Sequence, residues 1–340
     1  MKKLALIITV LCFTAGASAQ TKLFDFINSV NWQLKESEFV SQCSIPIEQI
    51  SHNYNDYHKT TSDYRVTGLT LGEYECAARV YVDSLSRQLH SFSVTIIGIK
   101  KDADYFQTSR DMDAVLVPIL GKPDAVEEEP DNEYVKDMNR TWYKDNYTVS
   151  VMHMGFSDRQ LYSLDVQGVD NSKPDFRKAK WGDSKQTIMS IEGEPDQYDT
   201  ESLYVFRSTL AGMSCDVAYI FTDNKLTMAK YIFCENHTNK NDYISDYRKL
   251  VRLLTEKYGE PLWNAPEWRN SLYKDDPENY GFAVSLGHLI YSAGWFGDKT
   301  DVSVYLTGEN YEITLVIQYV SKKYEQLREN QSKQQTLDYL

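Results

Sequence analysis

Beyond its first twenty residues the chain has no apolar run approaching the roughly 18 residues of a membrane helix, which argues against membrane insertion of the mature protein. Positive charge is also scarce. Lys and Arg number 36 against 49 Asp and Glu, a net of -13. Such a balance repels phosphate backbones and anionic lipid, so no nucleic acid is expected as a partner, and the charge reads as an aid to solubility. The common signatures of chemistry are missing. There is no Gly-x-Ser-x-Gly elbow, no His-Glu-x-x-His and no glycine-rich phosphate loop. The histidines, at 52, 58, 90, 153, 237 and 288, supply no close pair of metal ligands, so neither a metal nor another cofactor is expected. His153, in Val151-Met-His-Met154, reads as a structural or surface residue of a strand, and His288 as a cation beside a helix end. The acidic run from Glu127 to Glu133 lacks the spacing of a calcium loop and reads as a solvated loop.

What is present begins with an export signal. Lys2 and Lys3 precede an apolar run from Leu4 to Phe13, and Ala17-Ser18-Ala19 follows as a cleavage pattern. Residues 1–19 are therefore expected to be removed, leaving a periplasmic or secreted protein. Cys12 follows Leu11 and lacks the small neighbour of a lipid-anchor cysteine. Losing Lys2 and Lys3 moves the formal charge from -13 to -15. Four cysteines remain, and an even count in an oxidising compartment leads us to expect two bridges, Cys43–Cys76 and Cys215–Cys234. In the loop-entropy account each would add about 3 kcal/mol.

The chain also repeats itself. At a constant offset of 138, Tyr105 matches Tyr243, Met112 matches Leu250, Leu116 matches Leu254, and Gly121-Lys-Pro123 matches Gly259-Glu-Pro261. Cys76 answers to Cys215, Ile27…Trp32 to Phe176…Trp181, and Trp142-Tyr-Lys-Asp resembles Leu272-Tyr-Lys-Asp. These matches place one domain at 21–168 and a second at 176–322, joined by a polar linker at 169–175 and followed by a polar tail at 323–340. Helices ending in Gly-x-Pro recur at Gly121, Gly193 and Gly259, each followed by strands, and the first quarter keeps only Pro46. The chain thus reads as four helix-plus-sheet quarters, two per domain.

The clearest helix is 242–258, with Tyr243, Tyr247, Leu250, Val251, Leu254 and Tyr258 on one face, Asn241 or Asp242 to cap it and Gly259 to end it in the left-handed conformation. Its counterpart at 104–120 carries Pro118, which should kink or loosen the last turn. Cys215, Val217, Tyr219 and Phe221 alternate along a strand that turns at Thr222-Asp-Asn-Lys225, where Asp and Asn tolerate positive φ. The fold class is therefore α+β: two tandem related domains, each with helices packed on one face of antiparallel β-sheet.

Within Trp181-Gly-Asp-Ser-Lys-Gln-Thr-Ile-Met-Ser-Ile-Glu-Gly-Glu-Pro-Asp196, Ser184 is a good N-cap, Ile188 and Ile191 share a face, and Gly193 and Pro195 end the helix. The spacing of Gly182, Ser184, Ile188, Ile191, Gly193 and Pro195 resembles the signature of the small outer-membrane lipoprotein family SmpA/OmlA (BamE-like), and the related β-lactamase inhibitory protein fold. Glu192 departs from the second Leu that this family prefers, and the lipid-anchor cysteine is absent. The resemblance implies a binding protein rather than an enzyme, and it carries over no partner-contacting residue.

Aromatic residues are the best functional lead, with Tyr alone at 25. Trp263 and Trp268 lie in the proline-bounded segment from Pro261 to Trp268, and Trp295 lies beyond it. Together they form the candidate binding surface. No counterpart to this stretch is evident in the first domain, so the second is expected to carry an insertion around 276–298. The reading that follows is a non-catalytic module binding another envelope or extracellular protein. Two alternatives stand beside it, a glycan- or small-ligand-binding protein that uses exposed aromatics, and a hydrolase whose paired carboxylates leave no sequence signature.

Overall fold

The computed structural model describes residues 21–55, 59–99, 104–128, 135–156, 159–171, 173–199, 202–338 and 340. The expected signal segment, His58 and most of the acidic run lie outside the described residues. The chain divides into two compact units, the first ending at Asp170 and the second beginning at Asn171.

Each unit is two copies of one pattern, a helix followed by four strands. In the first unit, β1 (Thr21–Lys22) and α1 (Leu23–Ser29) lead into α2 (Glu36–Gln42), β2 (Ile47–Asn55), β3 (Thr60–Leu71), β4 (Tyr74–Asp83) and β5 (Leu89–Ile96). Then come α3 (Tyr105–Leu120), β6 (Ala125–Glu128), β7 (Val135–Tyr143), β8 (Tyr147–Phe156) and β9 (Gln160–Gly168). The second unit holds α4 (Lys185–Glu192), β10 (Gln197–Asp199), β11 (Leu203–Leu210), β12 (Met213–Thr222) and β13 (Lys225–Phe233). It continues with α5 (Asn241–Tyr258), β14 (Trp263–Trp268), α6 (Tyr280–Ser285), β15 (Leu289–Phe296), β16 (Thr300–Glu309) and β17 (Glu312–Ser321), and ends in α7 (Glu325–Asp338).

The two sheets share one order. The first runs β3-β4-β5-β9-β8-β7-β6 with β2 on the outer side of β3, and the second runs β10-β11-β12-β13-β17-β16-β15-β14. In each, a meander from one quarter joins a meander from the next through their last strands. Pairing is antiparallel except that β1 runs parallel to β3, so the first sheet is not purely antiparallel. Alternation along the strands builds the cores: β12 buries Met213, Cys215, Val217, Tyr219 and Phe221, which cluster with Ile244, Tyr247, Leu250, Val251 and Leu254 of α5. In the first unit Leu116 and Leu120 of α3 join Val80, Phe92, Trp142, Val149 and Leu164.

The helix ends show how the sequence stops each helix, and they correct one detail. Gly121, Gly193 and Gly259 adopt φ of 82°, 93° and 85° with ψ of -170°, -160° and -168°. Positive φ with extended ψ is not the left-handed helical conformation expected; it is a region open essentially to glycine alone. Pro118 does not loosen α3, whose last turn is closed by the Gly121 N–H donating to Val117 O at 2.9 Å. Nor do Asn241 and Asp242 cap α5. The Asn241 side chain instead donates to Glu278 O at 2.8 Å and accepts from Gly281 N at 2.6 Å, fastening the segment before α6 onto the helix. Asp223 and Asn224 do turn the β12–β13 hairpin at positive φ, 51° and 56°.

Register fixes how the two units correspond. Trp142 faces Val149 on β8, and Trp295 faces Val302 on β16. The indole N–H of Trp142 donates to Gly121 O at 3.0 Å, and that of Trp295 donates to Gly259 O at 2.8 Å. Trp142 therefore answers to Trp295, not to Leu272 as the local sequence suggested. The offset of 138 that aligns the helices becomes 153 from β7 and β15 onward, so the extra residues of the second unit fall within 269–288 rather than 276–298. Short apolar strands look alike, and a four-residue match outweighed register there.

All four described cysteines are unbonded thiols. Cys215 lies on the buried face of β12, opposite Phe233, while Cys234 follows Phe233 and points to the other face. A bridge between them would have to cross the sheet, so the expected Cys215–Cys234 pair is not made. Cys43, at the end of α2, directs its Sγ to Ile45 O at 3.5 Å, and Cys76 is buried in β4 without a bond to it. Within the tail, α7 has no buried residue and is pinned where the Arg328 guanidinium donates to Thr227 O and Ser321 O at 3.0 and 2.8 Å.

Candidate functional site

The shared frame makes each unit a control for the other, and two places depart from it. One is at the surface of the second unit. The Leu262 N–H donates to Gly294 O as the Asp124 N–H donates to Thr141 O, each at 2.8 Å, so Leu262 and Trp263 occupy the places of Asp124 and Ala125. Trp263 lies flat on Gly294, where a Cβ would come within 2.0 Å of the indole, whereas the corresponding residue of β7 is Thr141. Phe296 stands beside Trp263 with ring centroids 5.5 Å apart at 69°. Leu262 and Phe296 are both 61% exposed and Trp263 is 36% exposed. The Lys322 ammonium sits 5.8 Å over the Phe296 ring. The first unit has Asp124, Ala125 and Tyr143 at the places of Leu262, Trp263 and Phe296.

Of the three tryptophans expected to share one exposed surface, Trp263 is exposed, Trp268 half-buried and Trp295 buried. Trp268 packs against the core and edge-on to Tyr280 at 5.1 Å. Trp295 is only 4% exposed, because its position on the inward face of β15 is what lets its N–H close the end of α5. Phe296, one residue later and on the opposite face, is the residue that sequence reading missed. The alternation of β15 carried that information once the strand's face was fixed.

The second departure is buried in the first unit, between α3 and strands β7, β8 and β9. Arg140 forms an ion pair with Asp113 at 2.7 Å and donates to Ser109 Oγ at 2.7 Å. His153, fully buried, places Nε2 2.8 Å from Gln160 Oε1, and Gln160 Nε2 donates to Thr108 Oγ1 at 3.0 Å. Tyr105 stacks on the imidazole with centroids 4.0 Å apart, and its hydroxyl donates to His153 O at 3.0 Å. Tyr162 meets the ring edge-on at 5.3 Å. Burial pushes the Asp113 carboxyl up, opposed by Arg140, and pushes the Tyr162 hydroxyl up strongly. The corresponding residues of the second unit are Tyr247, Val251, Ala293, Leu306, Ile313 and Leu315, where the first has Ser109, Asp113, Arg140, His153, Gln160 and Tyr162. A buried ionic and hydrogen-bonded network thus replaces an apolar core at one place in one fold, and such a network gives little net stability by itself.

Among the described residues His52 pairs with Asp63 at 2.7 Å and His237 with Asp246 at 2.6 Å, and no group of three metal-binding side chains forms. Glu192, the departure from the lipoprotein signature, accepts from Tyr219 Oη at 2.6 Å and pairs with Arg177 at 3.0 Å, so it is tied into the end of α4. Among the described residues no helix is long and apolar enough to cross a membrane. No family model matches the chain, and no curated protein and no solved structure gives a significant match.

Proposed function

We propose that the protein is an exported, non-catalytic binding module whose partner is another protein of the cell envelope or the extracellular space. The docking surface is the corner made by Leu262, Trp263 and Phe296. We read each sheet as carrying its helices on one face, the arrangement that a SmpA/OmlA-like or β-lactamase inhibitory protein-like ancestry would supply, with the signal segment at 1–19 directing export. One observation carries the reading: where the first unit has Asp124, Ala125 and Tyr143, the second has Leu262, an exposed indole laid over Gly294, and Phe296. Large amphipathic rings at low conformational cost are what protein hot spots use. The 69° between Trp263 and Phe296 favours an interdigitating protein surface over pyranose stacking on coplanar rings.

The test is site-specific photo-crosslinking of the full-length protein in its own cells, with the photoreactive residue at position 263 and, as control, at the equivalent position 125. A reproducible protein adduct at 263, absent at 125 and abolished by Phe296→Ser, is expected. Equal adducts at both positions, or adducts indifferent to Phe296→Ser, would overturn the reading. A Trp263 fluorescence change with cell-wall oligosaccharides, without any protein adduct, would transfer the surface to glycan.

A further inference from the structure

His153 is held in one tautomer by its neighbours. Gln160 Nε2 donates to Thr108 Oγ1 and its Oε1 lies 2.8 Å from His153 Nε2, the arrangement in which the imidazole donates from Nε2. Nδ1 is then a bare lone pair, fully buried and without a hydrogen-bond partner. A second proton on this ring would create an N–H with no acceptor. It would also add a second cation beside Arg140, with Asp113 the one carboxylate available to both. The titratable and charged groups facing the ring among the described residues are Tyr105 and Asp113 from α3, Arg140 from β7 and Tyr162 from β9. Asp137 and Asn139 alternate to the other face of β7. The N-terminal half of α3 meets the sheet through these contacts, whereas α5 meets its own sheet there through Ile244, Tyr247 and Val251.

We propose that the first unit contains an acid-sensitive latch: protonation of His153 releases the N-terminal half of α3 from β7, β8 and β9, while the second unit, with Leu306 in that place, stays closed.

The direction follows from linkage. Burial lowers the proton affinity of the imidazole, with Arg140 acting the same way and Gln160 and Asp113 opposing. The unfolded or opened segment regains the ordinary histidine value of about 6.5. The closed state therefore has its full stability above about pH 6.5 and loses it progressively as pH falls below that value.

Hydrogen exchange of the full-length protein at pH 7.5 and 5.0, corrected for intrinsic rates, reads the latch directly. Protection over 105–113 should fall by about tenfold relative to 241–251 on acidification. His153→Leu, which copies the second unit, should abolish that difference. Should this variant fail to fold, nitrogen NMR of the wild-type imidazole decides instead: Nε2–H with a bare Nδ1 at pH 7.5, and protonation only together with loss of α3 protection. Unchanged protection of α3 at pH 5.0, or an undiminished acid response in folded His153→Leu, would overturn the proposal.

Discussion

Replacing Gly259 with alanine separates two accounts of how α5 ends. If Gly259 were an ordinary helical position, alanine would stabilise by up to about 1 kcal/mol through helix propensity. The structure says otherwise, since the residue stands at φ 85°, ψ -168°. A Cβ there would meet nothing within 4 Å, so packing is removed from the comparison and the backbone alone decides. A side chain in that region costs about 1–3 kcal/mol. The smaller unfolded-state entropy of alanine returns about 0.4–1 kcal/mol. The net loss is about 1–2 kcal/mol, or about 2–8 °C in Tm for a unit of this size. Because two units need not unfold together, calorimetry of the full chain should be paired with hydrogen exchange over 241–258 to assign the transition. Gly121→Ala and Gly193→Ala provide independent repeats at φ 82° and 93°, also in open space. Asparagine sharpens the test, because it tolerates the left-handed helical conformation but gains nothing at extended ψ. Gly259→Asn should therefore be no better than Gly259→Ala. A Gly259→Ala protein as stable as the wild type, or rescue by asparagine, would refute the reasoning.

Trp295→Phe removes the donor to Gly259 O and should cost about 1–3 kcal/mol, with Trp142→Phe costing a similar amount in the first unit, both read as midpoint shifts in urea denaturation of the full chain. Alkylation without reducing agent should label four cysteines in the denatured mature protein, and a mass two labels short would reveal a bridge. In the folded protein exposed Cys234 should react first, whereas burial pushes the Cys76 and Cys215 thiols up to about 12 and about 11 and delays them until unfolding.

The helices and hairpins could be read in the sequence because local rules determine them. The 3.6-residue period of Tyr247, Leu250, Val251 and Leu254, and the Asp-Asn turn at 223–224, need no knowledge of the rest of the chain. The conformation of the terminal glycines could not, since left-handed and extended-ψ endings both select glycine and both precede proline comfortably. The placement of the aromatic residues was less legible. Trp295 and Phe296 are adjacent and differ only in the face of β15 they occupy, and a one-residue slip exchanges them. Composition drew attention to the tryptophan and away from the phenylalanine that stands in solvent. The cysteine pairing was illegible for a similar reason, because an even count carries no information about which side of a sheet each thiol occupies.

His153 shows where duplication supplies what a single copy cannot. Taken alone, a histidine between two methionines on a strand is an ordinary structural residue, and its burial invites no functional account. Set against Leu306 it becomes a substitution, accompanied by Asp113 for Val251, Arg140 for Ala293, Gln160 for Ile313 and Tyr162 for Leu315. Any one of these polar replacements made singly would leave an unpaired buried group at a cost of about 1–3 kcal/mol or more. They occur as a set, the ion pair and the His153–Gln160–Thr108 chain linking most of them, while His153 Nδ1 and the Tyr162 hydroxyl are left without a partner among the described residues. The apolar alternative is present in the same polypeptide, so the fold does not require the network. The same logic separates Trp263 from Trp142 and Trp295: the latter pair occupies one place in both units and belongs to the frame, while the former belongs to one unit only. Residues that differ between equivalent places, rather than those that repeat, are where function should be sought in this chain.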